Sequence, residues 1–367
     1  MVLQECRSGA RQGSVRHQRT VYTPPVNARI ALVAVSLALS VLIGLTLRGG
    51  GDTKSAEKRL VIGFSMDTLK EARWQRDRDY FVAKAKALGA EVLVQSANSD
   101  DTRQMQDVQA LLSAGVSVLV IVPHNGDAMK KAVELAHEQH VPVIAYDRLI
   151  TGTDLDLYVS FDPVRIGEVQ AQYLVDHLGA QKRIVRIHGA STDQNAHFMK
   201  QGQDKVLQPL IASKALAIVH EDWAENWKPE QAKKITNAAI TKHGKAIDAV
   251  LAANDGTAGG AIQALTEEGL AGKIVVTGQD AELVACQRIA QGSQLMTIYK
   301  PLEKLATTAA ELAVKLAFGR PVVAKGSLNN GRVDVPAVLL DVVVVDKDNL
   351  KSTVVKDGFH AEKDVFP

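Results

Sequence analysis

The chain has 367 residues, 46% of them hydrophobic, which is apolar material for about two domains at roughly 150 residues each. Lys and Arg total 43 against 41 Asp and Glu, but residues 1–29 carry five Arg and one acid, so the remainder is slightly acidic. That excludes the overall basic excess of a nucleic-acid binder, and two cysteines, Cys6 and Cys286, exclude a disulfide scaffold or a four-cysteine zinc site.

The first element is an address. Residues 30–47 (IALVAVSLALSVLIGLTL) form an uncharged run behind the basic segment 1–29 and in front of Arg48. A basic flank before an apolar run directs membrane insertion with the basic side kept in the cytoplasm. The run is longer than a usual signal-peptide core and just long enough to span a bilayer. No A-x-A site or lipid-accepting Cys follows it. It reads as a signal sequence or a membrane anchor, with the anchor slightly favoured. Residues 48–58 (RGGGDTKSAEK) read as a polar linker. Everything from about Arg59 onward is then periplasmic or otherwise extracytoplasmic, on the other side of the membrane from Cys6.

The body alternates strands and helices. Short β-branched runs are expected to be strands at 60–65, 91–96, 118–122, 141–146, 158–161, 183–188, 215–220, 247–252 and 274–278, with a later one at 295–299. Apolar residues at helical spacing fall between them at 74–88, 102–114, 128–139, 164–178, 196–210, 229–242, 257–268 and 282–290. Such alternation predicts an α/β fold with parallel sheets covered on both faces. So many strands fit two doubly wound lobes better than one sheet. In open α/β sheets, ligands bind beyond the C-terminal ends of the strands.

Those ends are consistently polar. They carry Asp67 to Trp74, Asp147-Arg148, Ser191 to Asn195, Asp222 to Trp227, Asn254-Asp255, Gln279-Asp280 and Lys300. Carboxylates and amides suit vicinal hydroxyls, Arg offers donors of fixed geometry, and Trp offers a flat apolar face to a sugar ring. Each residue also has a plain reading. Asp193, Asp222 and Asp255 stand where helix N-caps are wanted. Asp147-Arg148 could be a surface ion pair, and Trp74 and Trp227 ordinary core. Agreement among seven strand ends carries the case for a site.

Enzymatic motifs are poor. There is no phosphate-binding Gly-rich loop after a strand and no nucleophile elbow. His137 and His140 have helical i, i+3 spacing, unlike a metalloprotease motif, and read as a solvated helix end. Cys286 reads as a small buried hydrophobe. No cofactor or metal is expected. An enzyme acting on sugars would use two site carboxylates, such as Asp147 and Asp280, as acid and base. Cations beside them, Arg148, Arg73 and Lys300, favour ionised acids and therefore binding.

Specific stretches then carry a resemblance: ARWQRDRD (72–79), VQSANSD (94–100), VIAYDRLI (143–150), SFD (160–162), AANDGTAGGAIQAL (252–265), GQDAEL (278–283), TIYKP (297–301) and LNNG (328–331). From about Arg59 to its C-terminus the chain resembles the periplasmic sugar-binding proteins of ABC importers, of the type I, ribose-binding-like class and its D-xylose-binding branch. The resemblance implies two parallel-sheet lobes joined by a three-crossing hinge that closes on a sugar. It implies crossings near Asp162-Pro163, near 298–300 and near 328–331. The N-terminal lobe would be 59–162 plus 300–327, and the C-terminal lobe 163–299 plus 328–367. The implied sugar contacts are Arg73, Trp74, Asp147, Arg148, Asp193, Asn195, Trp227, Asn254, Asp280 and Lys300. Gln194 stands where relatives often carry Asn, and Thr68 where they often carry a second Asp. The implied partners are D-xylose or a related monosaccharide, ABC transporter permease subunits, and for some relatives a sensor or chemoreceptor. The body is expected to be monomeric and to bind no nucleic acid.

Overall fold

The computed structural model describes residues 30, 31, 33–37, 39, 40, 60–179, 182–244 and 246–367. It divides into two compact units, Met1–Lys58 and Arg59–Pro367, and the second carries the fold. In the first, the described residues between 30 and 40 are helical. The expected segments 1–29 and 48–58, and half of 30–47, lie outside the described residues. No helix among the described residues is long and apolar enough to cross a membrane.

The larger unit opens with a sheet built from β1 (Val61–Met66), β2 (Glu91–Ser96), β3 (Val118–Ile121), β4 (Val143–Tyr146) and β5 (Leu157–Phe161). They run in the order 2-1-3-4-5, all parallel. β3, β4 and β5 are buried at every position, as parallel strands covered on both faces must be. Successive residues serve opposite faces. Ile62, Phe64, Val120 and Tyr146 pack under helices α1 (Ala72–Ala87) and α9 (Leu302–Ala317). Leu119, Ile121, Val143 and Ala145 pack under α2 (Asp101–Ser113) and α3 (Lys130–Glu138). Phe64, Phe81 and Tyr146 meet at ring separations of 4.6, 5.6 and 6.4 Å. Burying each such side chain contributes about 1.5–3 kcal/mol.

The second sheet has the order β7 (Leu216–Trp223), β6 (Lys182–His188), β8 (Ala249–Ala252), β9 (Val275–Val276), again all parallel. Helices α4 (Pro163–Asp176) and α5 (Gln194–Ala212) cover one face. Helices α6 (Pro229–His243) and α7 (Asp255–Glu267) cover the other. β10 (Met296–Tyr299) flanks β9, where Leu295 N donates to Val276 O at 2.8 Å and Asp280 N to Ile298 O at 2.7 Å. α8 (Leu283–Gln291) packs beside it, with Cys286 fully buried.

The C-terminal quarter corrects the expected lobe boundary. β11 (Gly326–Asn329) and β12 (Asp334–Leu340) form a hairpin, and β12 pairs in parallel with β5. Residues 328–340 therefore extend the first sheet to seven strands; they were expected in the second lobe. The LNNG stretch is the hairpin turn and makes no crossing. Asn330 donates to the carbonyls of Ile150 and Thr153 at 3.2 and 2.8 Å, which ties that turn to the first lobe. The chain leaves the first sheet only after Leu340, and β13 (Val343–Asp346) pairs antiparallel with β10.

Candidate functional site between the two sheets

The C-terminal ends of both sheets meet at one cleft. It encloses about 780 Å³ including its mouth, within the roughly 300–1,000 Å³ usual for small-molecule sites. All ten residues singled out from the sequence line it.

β1 and the start of α1 supply Asp67, Arg73 and Trp74. The end of β4 supplies Asp147 and Arg148. Asp147 is held at φ 62°, a left-handed conformation costing about 1–3 kcal/mol outside glycine. That turn aims its carboxylate at Arg73, whose Nη2 lies 2.7 Å from Oδ2. Arg73 also reaches Asp77 at 3.3 Å and lies 4.0 Å over the Trp74 ring. Asp77 in turn accepts a short hydrogen bond from the Tyr146 hydroxyl. Arg148 is clamped on two sides, by Asp67 Oδ2 at 2.7 Å and Asp193 Oδ2 at 2.9 Å.

From the second lobe, Asp193 is the helix cap that its position suggested, and it also pairs with Arg148. Its Oδ1 caps α5 by accepting from Asn195 N at 2.9 Å, while its other oxygen meets Arg148. Asn195 donates to the Asp147 carbonyl at 2.7 Å and accepts from the Tyr158 hydroxyl at 2.9 Å. Asn254 caps α7 in a reciprocal box with Thr257. Asp280, at φ 97°, lies 2.6 Å from Lys300 Nζ and 3.5 Å from Arg73 Nη1. Trp227 follows the sharp turn at Asn226; both have positive φ, 58° and 53°. Its indole fills the space over Gly189, where a Cβ would come within 2.1 Å of the ring.

The electrostatics follow from burial and pairing. Burial alone would raise the Asp147 carboxyl, but Arg73 and Lys300 outweigh it and hold it below its ordinary value. Burial would lower Arg148, yet Asp193 and Asp67 keep it well above the usual range. Asp193 ends raised, because burial outweighs Arg148. Asp77 is fully buried and pushed up to about 6 by burial, against the pull of Arg73, with Asp147 adding to the rise.

Asp67, Glu71, Asn226 and Gln279, which belong to the polar strand ends but not to the ten implied contacts, also line the cleft. His124 lines it too and was missed; it sits beyond β3, so the strand-end rule that selected Asp147 would have reached it. The remaining sequence candidates lie elsewhere. Asp255 is buried among Gln294, Thr297 and the Glu282 amide. Asp222 is exposed on β7, which runs three residues further than expected. His137 bonds Asp156 at 2.8 Å at a solvated helix end. No cluster among the described residues has the His, Cys, Asp or Glu set to hold a metal ion.

Three comparisons bear on this architecture. A family described as "Periplasmic binding protein domain" matches residues 62–321. The D-xylose-binding periplasmic protein of Haemophilus influenzae is 45% identical over 90% of this chain and 99% of its own length. Its Escherichia coli counterpart is 47% identical over 84% of this chain and 93% of its own. A carbohydrate-transporter solute-binding protein from Chloroflexus aurantiacus, solved with D-glucose, superposes with a TM-score of 0.78 at 34% identity, covering 83% of this chain and 98% of that one. A Caulobacter protein solved with myo-inositol superposes at 0.70 with 26% identity, covering 82% and 98%. With two parallel-sheet lobes around one polar cleft and these relatives along nearly its whole body, the chain belongs to the periplasmic binding protein family and has its type I fold.

Proposed function

We propose that this protein captures D-xylose between its two lobes outside the cytoplasm and delivers it to the permease of an ABC transporter. The observation that carries the reading is the set of ten polar and aromatic side chains from both lobes converging on one cleft. Relatives at 45% and 47% identity named for D-xylose binding support the choice of sugar. The ligand groups we assign are Arg73, Asp147, Arg148, Asp193, Asn195, Asn254, Asp280 and Lys300 for hydroxyls, with Trp74 and Trp227 for the ring faces. In Asn254 the Oδ1 serves the helix cap, which leaves the amide N–H groups to donate to the sugar.

Binding without turnover fits the charges better than catalysis does. An acid–base pair needs one carboxyl raised and reachable by substrate. Asp147 is held low, the raised Asp77 is sealed behind Arg73 and Tyr146, the raised Asp193 has both oxygens engaged by Arg148 and the Asn195 amide, and the raised Glu282 does not line the cleft. A hexose is the second reading, favoured by the glucose-bound structure at 34% identity. Residues 30–47 would be removed as a signal or retained as an anchor, and N-terminal sequencing of the native protein distinguishes the two. The functional test is incubation with ¹³C-xylose followed by NMR. We expect broadened sugar resonances and unaltered xylose on recovery. Isomerised, oxidised or phosphorylated sugar would overturn the receptor reading.

A further inference from the structure

The loop after β3 crosses to the second lobe without using any of the assigned sugar ligands. His124 Nε2 lies 3.3 Å from the Asn226 side-chain oxygen, and Gly126 N donates to the Thr192 carbonyl at 3.3 Å. The first lobe holds this loop from behind. Gln104, fully buried in α2, accepts from His124 N at 2.9 Å and donates to the Val122 carbonyl at 2.7 Å. Asp101, in the first turn of the same helix, has Oδ1 2.7 Å from His124 Nδ1, and its Oδ2 accepts from the Asn125 amide at 3.2 Å. The Asp101 carboxylate accepts, so Nδ1 donates and Nε2 is the nitrogen turned to the second lobe.

Asn226 matches that nitrogen in either state of the ring. Its oxygen accepts from a protonated imidazole, and with the amide turned over its NH2 group donates to a neutral one. Asn226 stands at φ 53° in the turn Glu225–Trp227, directly before Trp227 at φ 58°. His124 therefore grips the turn from which the Trp227 ring enters the cleft. We propose that His124 is a positioning residue for sugar binding: aimed by Asp101, it latches Asn226 when the lobes close and so seats Trp227 over the sugar ring. A contact made only in the closed form raises affinity by slowing release and leaves the encounter with the open form alone. This rests on the sugar-receptor reading of the cleft.

Calorimetry and stopped-flow Trp fluorescence of the full chain with D-xylose test it, on His124→Ala, His124→Gln and His124→Asn. A Gln amide reaches as far as Nε2 does, and an Asn amide only as far as Nδ1. With one hydrogen bond lost, His124→Ala should weaken xylose about three- to tenfold. The loss should lie in faster dissociation, with the association rate and the thermal midpoint of the sugar-free protein unchanged. His124→Gln should restore wild-type affinity, and His124→Asn should behave as the Ala variant does. Asn226→Gly keeps the positive φ and should cost as much as His124→Ala, with the double variant no worse than either. Rescue by Asn in place of Gln, or a lowered sugar-free midpoint, makes His124 a prop of its own loop and overturns the latch. Additive losses make it a direct sugar contact and overturn it as well. Wild type that binds no xylose overturns the receptor reading beneath, whereas wild type and all variants binding xylose alike overturn the latch alone.

Discussion

Asp193 shows what a single residue in this cleft does. One oxygen of its carboxylate starts a helix and the other holds Arg148, so a capping residue also fixes a cation of the cleft. Sequence spacing placed Asp193, Asp147 and Asn254 at strand ends. It could not reveal that Arg73 would sit between three carboxylates, because Asp77, Asp147 and Asp280 lie 4, 74 and 207 residues from it. Asp77 stands at the local i, i+4 spacing from Arg73, but nothing in the sequence shows that the fold buries it completely. Trp227 is the residue where the site and core readings meet. Its ring lines the cleft and also packs against the core, so substitution decides between them. Trp227→Ala loses ring burial of about 1.5–3 kcal/mol and stacking of about 1 kcal/mol, together roughly a hundredfold in affinity or more. Calorimetry should show that loss with the thermal midpoint nearly unchanged. Intact affinity with a lowered midpoint would make Trp227 core.

At the scale of elements, the strand–helix alternation was legible up to β10 because each parallel strand is a short apolar run with a periodic helix behind it. The last three strands were not. β12 carries Pro336 and alternates its burial, and it joins β5 in a register 179 residues away. Nothing local marks that choice of sheet, which is why 328–340 were assigned to the wrong lobe. Close approaches between elements were equally silent. The α4–α5 crossing depends on Gly202, where a Cβ would meet the Val164 carbonyl oxygen at 2.0 Å. At Gly189 the obstruction is the Trp227 ring, not backbone. Gly189→Ala should therefore displace the indole, weaken sugar binding at least tenfold and quench or shift Trp fluorescence. Gly202→Ala should cost stability by overpacking, about 1–3 kcal/mol, while leaving affinity within a few-fold. Urea unfolding beside calorimetry separates these outcomes, and equal effects of the two substitutions on affinity would contradict the assignment.

Across the whole molecule, the lobes are bonded to each other at the cleft. Arg148 meets Asp193, Arg73 faces Asp280, Asn195 donates to the Asp147 carbonyl, and His124 lies 3.3 Å from Asn226. A sugar touching both sides stabilises this closed arrangement over an open one. Closure also gathers acids. Glu282 is pushed up to about 7 by burial, with Asp280 and Glu71 adding to the rise and Arg288 opposing it. The folded chain thus holds a proton there that the unfolded chain, at the ordinary 4.5, has already lost. Stability from this group is complete below about pH 4.5, falls as pH rises to 7, and is flat above. In urea unfolding, Glu282→Gln should narrow the stability difference between pH 5 and pH 8. An unchanged slope would contradict the assignment.

The claim at the centre is that charged groups of both lobes hold one pentose. Titration of wild type and Asp280→Asn with D-xylose, and with a panel of other pentoses and hexoses, tests it most directly. Asp280 is the second lobe's link to Lys300 and Arg73. Hydrogen bonds to charged groups contribute about 1.5–3 kcal/mol, so Asp280→Asn should weaken xylose roughly ten- to a hundredfold. The account predicts one site per chain, xylose bound more tightly than any hexose, and that loss in the variant. No heat with xylose, or equal affinity in both forms, would contradict it.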